Sequence, residues 1–165
     1  MSRLATFLLL GLLLSMACNP TKRLLREHPP RQYLPAAVQE LYFGMPLSEF
    51  QLQRQAAREG GGSMSFRQVW VEKPQDPALE SIAYYFDSEG DTPLYEIIIN
   101  YRDVAVRDAW IAEHLGGPNH QDGSEWLFDG GLGYEVNLWT FNQKLVIAAA
   151  IAGCEWDEDR DGKID

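Results

Sequence analysis

The chain has 165 residues but only two cysteines, Cys18 and Cys154, and three histidines, so it can hold neither a disulfide framework nor a histidine-rich metal centre. His114 and His120 flank the turn Gly116-Gly117-Pro118 with Asp122 nearby, a spacing that matches no zinc signature. There is no Gly-x-Ser-x-Gly elbow, and Gly60-Gly61-Gly62-Ser63 lacks the lysine and following helix of a phosphate loop. Positive charge is scarce: 14 Lys and Arg stand against 24 Asp and Glu, a net charge of −10, which argues against nucleic acid as a partner. The most apolar stretch, Leu4 to Leu14, falls short of the roughly 20 residues that a membrane-spanning helix needs. With no catalytic signature present, the expected mode of action is contact and not catalysis.

What the N-terminus does contain is a secretory signal. Arg3 supplies a positive n-region, Leu4 to Leu14 is hydrocarbon, and Ser15-Met16-Ala17 offers the small residues a signal peptidase requires. The ending Leu14-Ser15-Met16-Ala17-Cys18 resembles the lipobox of bacterial lipoproteins. That resemblance implies that residues 1–17 are removed and that Cys18 is acylated as the first residue of the mature protein. It further implies anchoring by lipid rather than by a transmembrane helix, and Asn19 in the sorting position points to the periplasmic face of the outer membrane. With Cys18 so used, Cys154 is the one remaining thiol, and its place after the apolar run Leu145 to Ala152 predicts a buried, inert position.

Charge is divided along the chain. Residues 18–35 form a proline-containing linker in which Lys22, Arg23, Arg26 and Arg31 oppose Glu27 alone, a basic tether suited to an anionic membrane surface. From Ala36 to Gly153 the balance reverses to seven basic and seventeen acidic residues, and residues 155–165 add two bases and six acids.

Hydrophobic periodicity predicts two passes of one pattern, a helix followed by three strands. The first, residues 36–101, places a helix after Pro46 with Leu47, Phe50 and Leu52 to Ala57 supplying its apolar stripe. Strands follow over Phe66 to Val71, Ser81 to Phe86 and Leu94 to Tyr101, the last with Tyr95, Ile97, Ile99 and Tyr101 on one face. The second, residues 102–154, predicts a helix from Val104 to Leu115 with Val106, Ala109, Trp110 and Ile111 at helical spacing, stopped by the glycines before Pro118. Strands are expected over Glu125 to Phe128, Tyr134 to Phe141 and Leu145 to Ala152. The fold class is α+β, two tandem helix-plus-three-strand repeats with the helices laid on an antiparallel sheet.

Val38-Gln39-Glu40-Leu41-Tyr42-Phe43-Gly44-Met45-Pro46-Leu47-Ser48-Glu49-Phe50 resembles the start of the helix in the SmpA/OmlA (BamE-like) family of small outer-membrane lipoproteins. Leu115-Gly116-Gly117-Pro118-Asn119, followed by Glu125-Trp126-Leu127-Phe128, resembles the helix end and first strand of the same unit. The tandem arrangement is similar to the β-lactamase inhibitor protein fold. These resemblances imply an envelope lipoprotein that binds or scaffolds other proteins. The other class considered is an envelope enzyme or enzyme inhibitor using a cleft between the repeats.

Two features carry candidate chemistry. In the tail, Asp157, Asp159 and Asp161 occupy the first, third and fifth positions of an EF-hand-like calcium loop, followed by Gly162, the backbone carbonyl of Lys163, and Asp165 at the ninth. Alternate carboxylates converge on a hard cation, and Gly162 permits the turn. A twelfth-position acid lies beyond the last residue, so the expected affinity is weak, roughly 10⁻⁴ to 10⁻³ M. The second feature is aromatic: Trp70, Tyr85, Tyr95, Tyr101, Trp126, Trp139 and Phe141 fall on strands, where some would pack the core and others could form a binding face.

Overall fold

A computed structural model describes residues 33–130, 134–151 and 154. Their alternating apolar segments assemble into one antiparallel sheet of seven strands with two helices, a mixed α+β architecture. The elements in chain order are α1 (Leu47–Gln53), β1 (Arg58–Glu59), β2 (Arg67–Glu72), β3 (Leu79–Asp87), β4 (Leu94–Tyr101), α2 (Val104–His114), β5 (Glu125–Asp129), β6 (Glu135–Phe141) and β7 (Lys144–Ala149). Spatial order is β1-β2-β3-β4-β7-β6-β5, so two up-and-down meanders meet where β4 pairs with β7.

The core lies on one face of this sheet. Across the strands the register aligns Trp70, Tyr84, Ile97, Ile147, Leu138 and Trp126 in a single lateral row. Over them lie α1, α2 and the chain from Tyr33 to Met45, which contributes Leu34, Val38, Leu41, Phe43 and Met45 to the same cluster. Tyr33 and Leu34, assigned to the linker by composition, are core residues: the Tyr33 ring stacks on Phe128 at 4.4 Å and its hydroxyl donates to the Asp129 carbonyl at 2.7 Å.

Helix α1 is shorter than its apolar stripe predicts. It ends at Gln53, Arg54 turns the chain at φ −112°, and Arg58–Glu59 leave as a strand that pairs with β2. Phe50 carries the packing, with ring contacts to Tyr84 at 4.7 Å and Phe86 at 4.9 Å, while Leu52 is 76 % exposed. Burial of such a side chain contributes about 1.5–3 kcal/mol.

Helix α2 has the expected span and ends as expected, with Gly116 at φ +70° after the Ile111 carbonyl has accepted from both Leu115 N and Gly116 N. Asp103 caps its start by accepting from the Ala105 amide at 2.8 Å. Its buried stripe differs, however. Val106 is 43 % exposed, and Arg107 is buried in its place, donating to the Asn142 carbonyl in the β6–β7 turn. Asn142 sits at φ +53°, a strained turn whose carbonyl needs a donor, and a guanidinium one helical turn from Ile111 supplies it.

Candidate functional site: the open face of the sheet

The period of two that fills the core sends every second strand residue to the opposite face. There the rows read Val69, Tyr85, Glu96, Ala148, Asn137 and Leu127; then Val71, Ala83, Ile98, Val146, Trp139 and Glu125; then Ser81, Asn100, Lys144 and Phe141. Among the described residues neither helix lies on this face. Val69, Tyr95, Val146 and Ala148 are buried here yet lie outside the main core cluster.

The aromatics singled out from sequence divide between the two faces. Trp70, Tyr101 and Trp126 pack with the core. Tyr85, Tyr95, Trp139 and Phe141 go to the open face, with Tyr85 and Trp139 half-buried, Tyr95 buried and Phe141 61 % exposed. Tyr95 departs from the expected alternation with Ile97, Ile99 and Tyr101. A register shift at Tyr85/Phe86 makes Leu94 the partner of Phe86, and Tyr95 turns to meet the Tyr85 ring edge-on at 6.5 Å. Arg67 lies over Tyr85 at 5.3 Å and over the exposed Phe66 at 5.4 Å.

The β5 edge of the sheet is closed off. On β5, the Asn119 side chain imitates a strand: its Nδ2 donates to the Leu127 carbonyl at 3.1 Å and its Oδ1 accepts from the Leu127 amide at 2.7 Å. The Glu125 carbonyl accepts from the Asn119 and His120 amides, and the Asp129 carbonyl accepts from Tyr33. The other edge is β1, only two residues long, which together with the Met64 bridge to Arg67 covers β2. Exposed strand edges template pairing with other chains; β5 is capped against this, and β1 is too short to offer more than a two-residue edge. Asn119→Ala is therefore expected to cost about 1–2 kcal/mol of stability and to produce concentration-dependent association. Urea unfolding and sedimentation velocity read the two effects, and a variant that stays monomeric at wild-type stability would contradict the assignment.

Two grooves adjoin the strand ends on the β1–β4 side, and both are lined by residues 36–102. One, of about 510 Å³, is lined in part by Arg58, Val71, Lys73, Glu80, Asn100 and Arg102. The other, of about 520 Å³, is lined in part by Ala37, Gln53, Arg54, Pro74 and Asp76. Ala56, Glu72 and Lys73 border both. Neither is the cleft between the two halves of the sheet that an enzyme or inhibitor reading requires.

Glu72 is the buried charge of this region. Its Oε1 accepts from Arg54 Nη1 at 3.0 Å and from the Tyr84 hydroxyl, while Arg54 Nη2 donates to the Ala37 carbonyl at 2.5 Å and meets Glu40 at 2.5 Å. Burial, reinforced by the bond to Glu72 and opposed by Arg54, pushes the Tyr84 phenol far above its ordinary range. This network passed unnoticed in the sequence, although one signal was there: Glu72 has the same strand parity as Trp70, so a core-facing strand ends in an acid that needs a buried partner.

The remaining sequence candidates are placed as follows. Cys18 and the calcium-loop residues Asp157, Asp159, Asp161, Lys163 and Asp165 lie outside the described residues. Cys154 is buried, as its apolar neighbours predict. His114 stacks on Trp110 at 4.7 Å, and His120 bridges to Glu125 through its backbone, so both serve the α2–β5 connection. Among the described residues no group of three or more His, Cys, Asp or Glu side chains could hold a metal ion, and no helix is long and apolar enough to cross a membrane. No protein-family model matches the chain, and neither a curated protein nor a solved structure is significantly similar to it.

Proposed function

We propose that this chain is a lipid-anchored protein of a bacterial envelope, tethered through Cys18 at the periplasmic face of the outer membrane, that binds a protein partner across the open face of its sheet. The observation that carries the reading is the face itself: the exposed Val71 and Phe141 and the half-buried Ile98 and Trp139 share it in adjacent rows around the buried Val146, away from both described helices. With the β5 edge closed and the β1 edge only two residues long, contact through a face is favoured over strand addition. The β2-β3-β4 and β5-β6-β7 meanders, each preceded by a helix, support a tandem pair of helix-plus-three-strand units. In this reading the EF-hand-like spacing Asp157, Asp159, Asp161, Lys163, Asp165 makes the tail a weak calcium site that adjusts the contact.

Crosslinking and pull-down from intact envelopes, with and without chelator, tests all three parts. Wild-type protein should recover one partner in a calcium-dependent manner. Trp139→Ala combined with Phe141→Ala should weaken that recovery by about 2 kcal/mol or more, roughly thirtyfold in affinity. Equal recovery by the variant would remove the face from the account. Release of the protein from membranes without detergent would remove the tether.

A further inference from the structure

We propose that the groove beside Asn100 receives an acidic peptide segment of the partner, its carboxylates seated on Arg58, Lys73 and Arg102. This rests on the protein-binding reading above and specifies the chemistry of what is bound.

Charge distribution makes the case. Residues 36–153 contain seven basic side chains against seventeen acidic ones, yet three of the seven line this one groove of about 510 Å³. A fourth, Lys144, stands beside it in the same row of the open face, paired with Asn100 across β4 and β7. The acids at the groove already have partners. Glu72 accepts from Arg54 and Tyr84, and the Glu80 carboxylate accepts from Asn100 Nδ2 at 2.9 Å. Arg54 balances Glu72, and Glu80 keeps its charge against Arg58, Lys73 and Arg102, so local charge is positive on a body that is negative as a whole; at physiological salt the distant acids are screened beyond about 8 Å.

The cations are also placed for binding. Arg58 Nη1 donates to the Gln55 carbonyl at 2.5 Å and the Ala57 carbonyl at 2.7 Å, which orients the guanidinium, and among the described residues its Nη2 and Nε donors are still to be used. The Arg102 backbone is pinned by donation to the Ala78 carbonyl at 2.9 Å. Three separate elements supply the three charges: β1, the turn after β2, and the residue after β4. Cations spread along a groove suit a segment bearing several carboxylates, each matched by a planar guanidinium or an ammonium, more than one compact anion that needs converging donors. Val71 lines the same groove and leads into the apolar row through Ala83 and Ile98, so a segment that mixes acidic with aliphatic residues fits both parts.

The test uses the full chain and a fluorescent peptide of alternating Glu and Val, with a Lys and Val peptide for comparison, read by anisotropy. The acidic peptide should bind saturably and lose affinity with added salt, and the basic one should not bind. Arg58→Gln with Arg102→Gln should weaken binding about tenfold or more, with a cooperative unfolding transition retained because both side chains are exposed and Arg58 gives up only local bonds to Gln55 and Ala57. Undiminished binding by that variant, or displacement of the peptide by an equal concentration of inorganic phosphate, would overturn the proposal. Tighter binding of a peptide of residues 155–165 would assign the groove to the chain's own tail and likewise overturn it. Failure here with continued recovery of an envelope partner through Trp139 would leave the protein-binding reading standing. Peptide binding without any recovered partner would do the reverse.

Discussion

Replacing Arg54 by alanine should lower the unfolding free energy by about 3–5 kcal/mol. Glu72 is 7 % exposed, and Arg54 is its ion-pair partner at 3.0 Å. Without the guanidinium the carboxylate keeps only the Tyr84 hydroxyl, and the Ala37 carbonyl loses its donor as well. A buried charge stripped of its partner costs more than the intact pair contributes, because desolvation is no longer offset. Glu40, whose side chain is 50 % exposed, meets the same guanidinium from the solvent side, and Glu40→Ala should cost less than about 1 kcal/mol. Adding Glu72→Gln to Arg54→Ala should recover part of the loss, since a neutral amide tolerates the site better than an unpaired carboxylate. Urea unfolding of the three variants measures this. A loss below about 1 kcal/mol for Arg54→Ala would show that the pair does not organise the junction of α1, β2 and β3.

Stability should collapse at alkaline pH. Burial raises the phenols of Tyr84 and Tyr134 well above the ordinary value of 10.0 and that of Tyr101 to about 12; Asp76 adds to the last and Arg107 opposes it. For Tyr134 the neighbouring Tyr33 and Asp129 act in the same direction as burial. Because the folded phenols hold their protons more tightly than unfolded ones, the stabilisation is complete below pH 10. It is lost as pH rises above that, where the unfolded chain ionises first. Each group removes at most about 1.4 kcal/mol per pH unit, so the three together have removed roughly 4 kcal/mol by pH 11. That is a large share of the 5–15 kcal/mol typical of a domain. The protein is expected to unfold cooperatively near pH 11 to 12, with Tyr84, Tyr101 and Tyr134 ionising only as it does so. Tyr101→Phe should flatten the pH dependence of stability by about a third. Titration of Tyr84, Tyr101 and Tyr134 near pH 10 without loss of structure would contradict the burial assigned to them.

Much of the architecture is legible in the chain because alternation and punctuation are local. Leu94 to Tyr101 is a strand over the span expected, and Gly116 ends α2 because only a residue tolerating φ +70° can close the helix there. The departures arise where a partner far along the chain intervenes. Helix α1 stops at Gln53 because Arg54 is drawn to Glu72 and Glu40, and because Arg58–Glu59 pair with β2. Tyr95 leaves the face of Ile97 and Ile99 because β3 and β4 slip by one residue, which alternation within β4 cannot reveal.

The same division holds for the candidate site. Seven strand aromatics were readable from composition and parity, but which of them face the helices was not, since either face of an alternating strand can be the buried one. Arg58, Lys73 and Arg102 carry no motif and are separated by 15 and 29 residues, and they share a groove because antiparallel pairing folds β1, the β2–β3 turn and the end of β4 to one end of the sheet. Likewise, Asn119 closes the β5 edge because the α2–β5 loop brings its amide level with Leu127. Sequence alone determined six of the seven strands, the span and end of α2 and the charge of each segment, all products of nearest-neighbour chemistry. Tertiary structure decided the buried face, the register and the clustering of cations, because these depend on side chains that meet only once distant segments have paired.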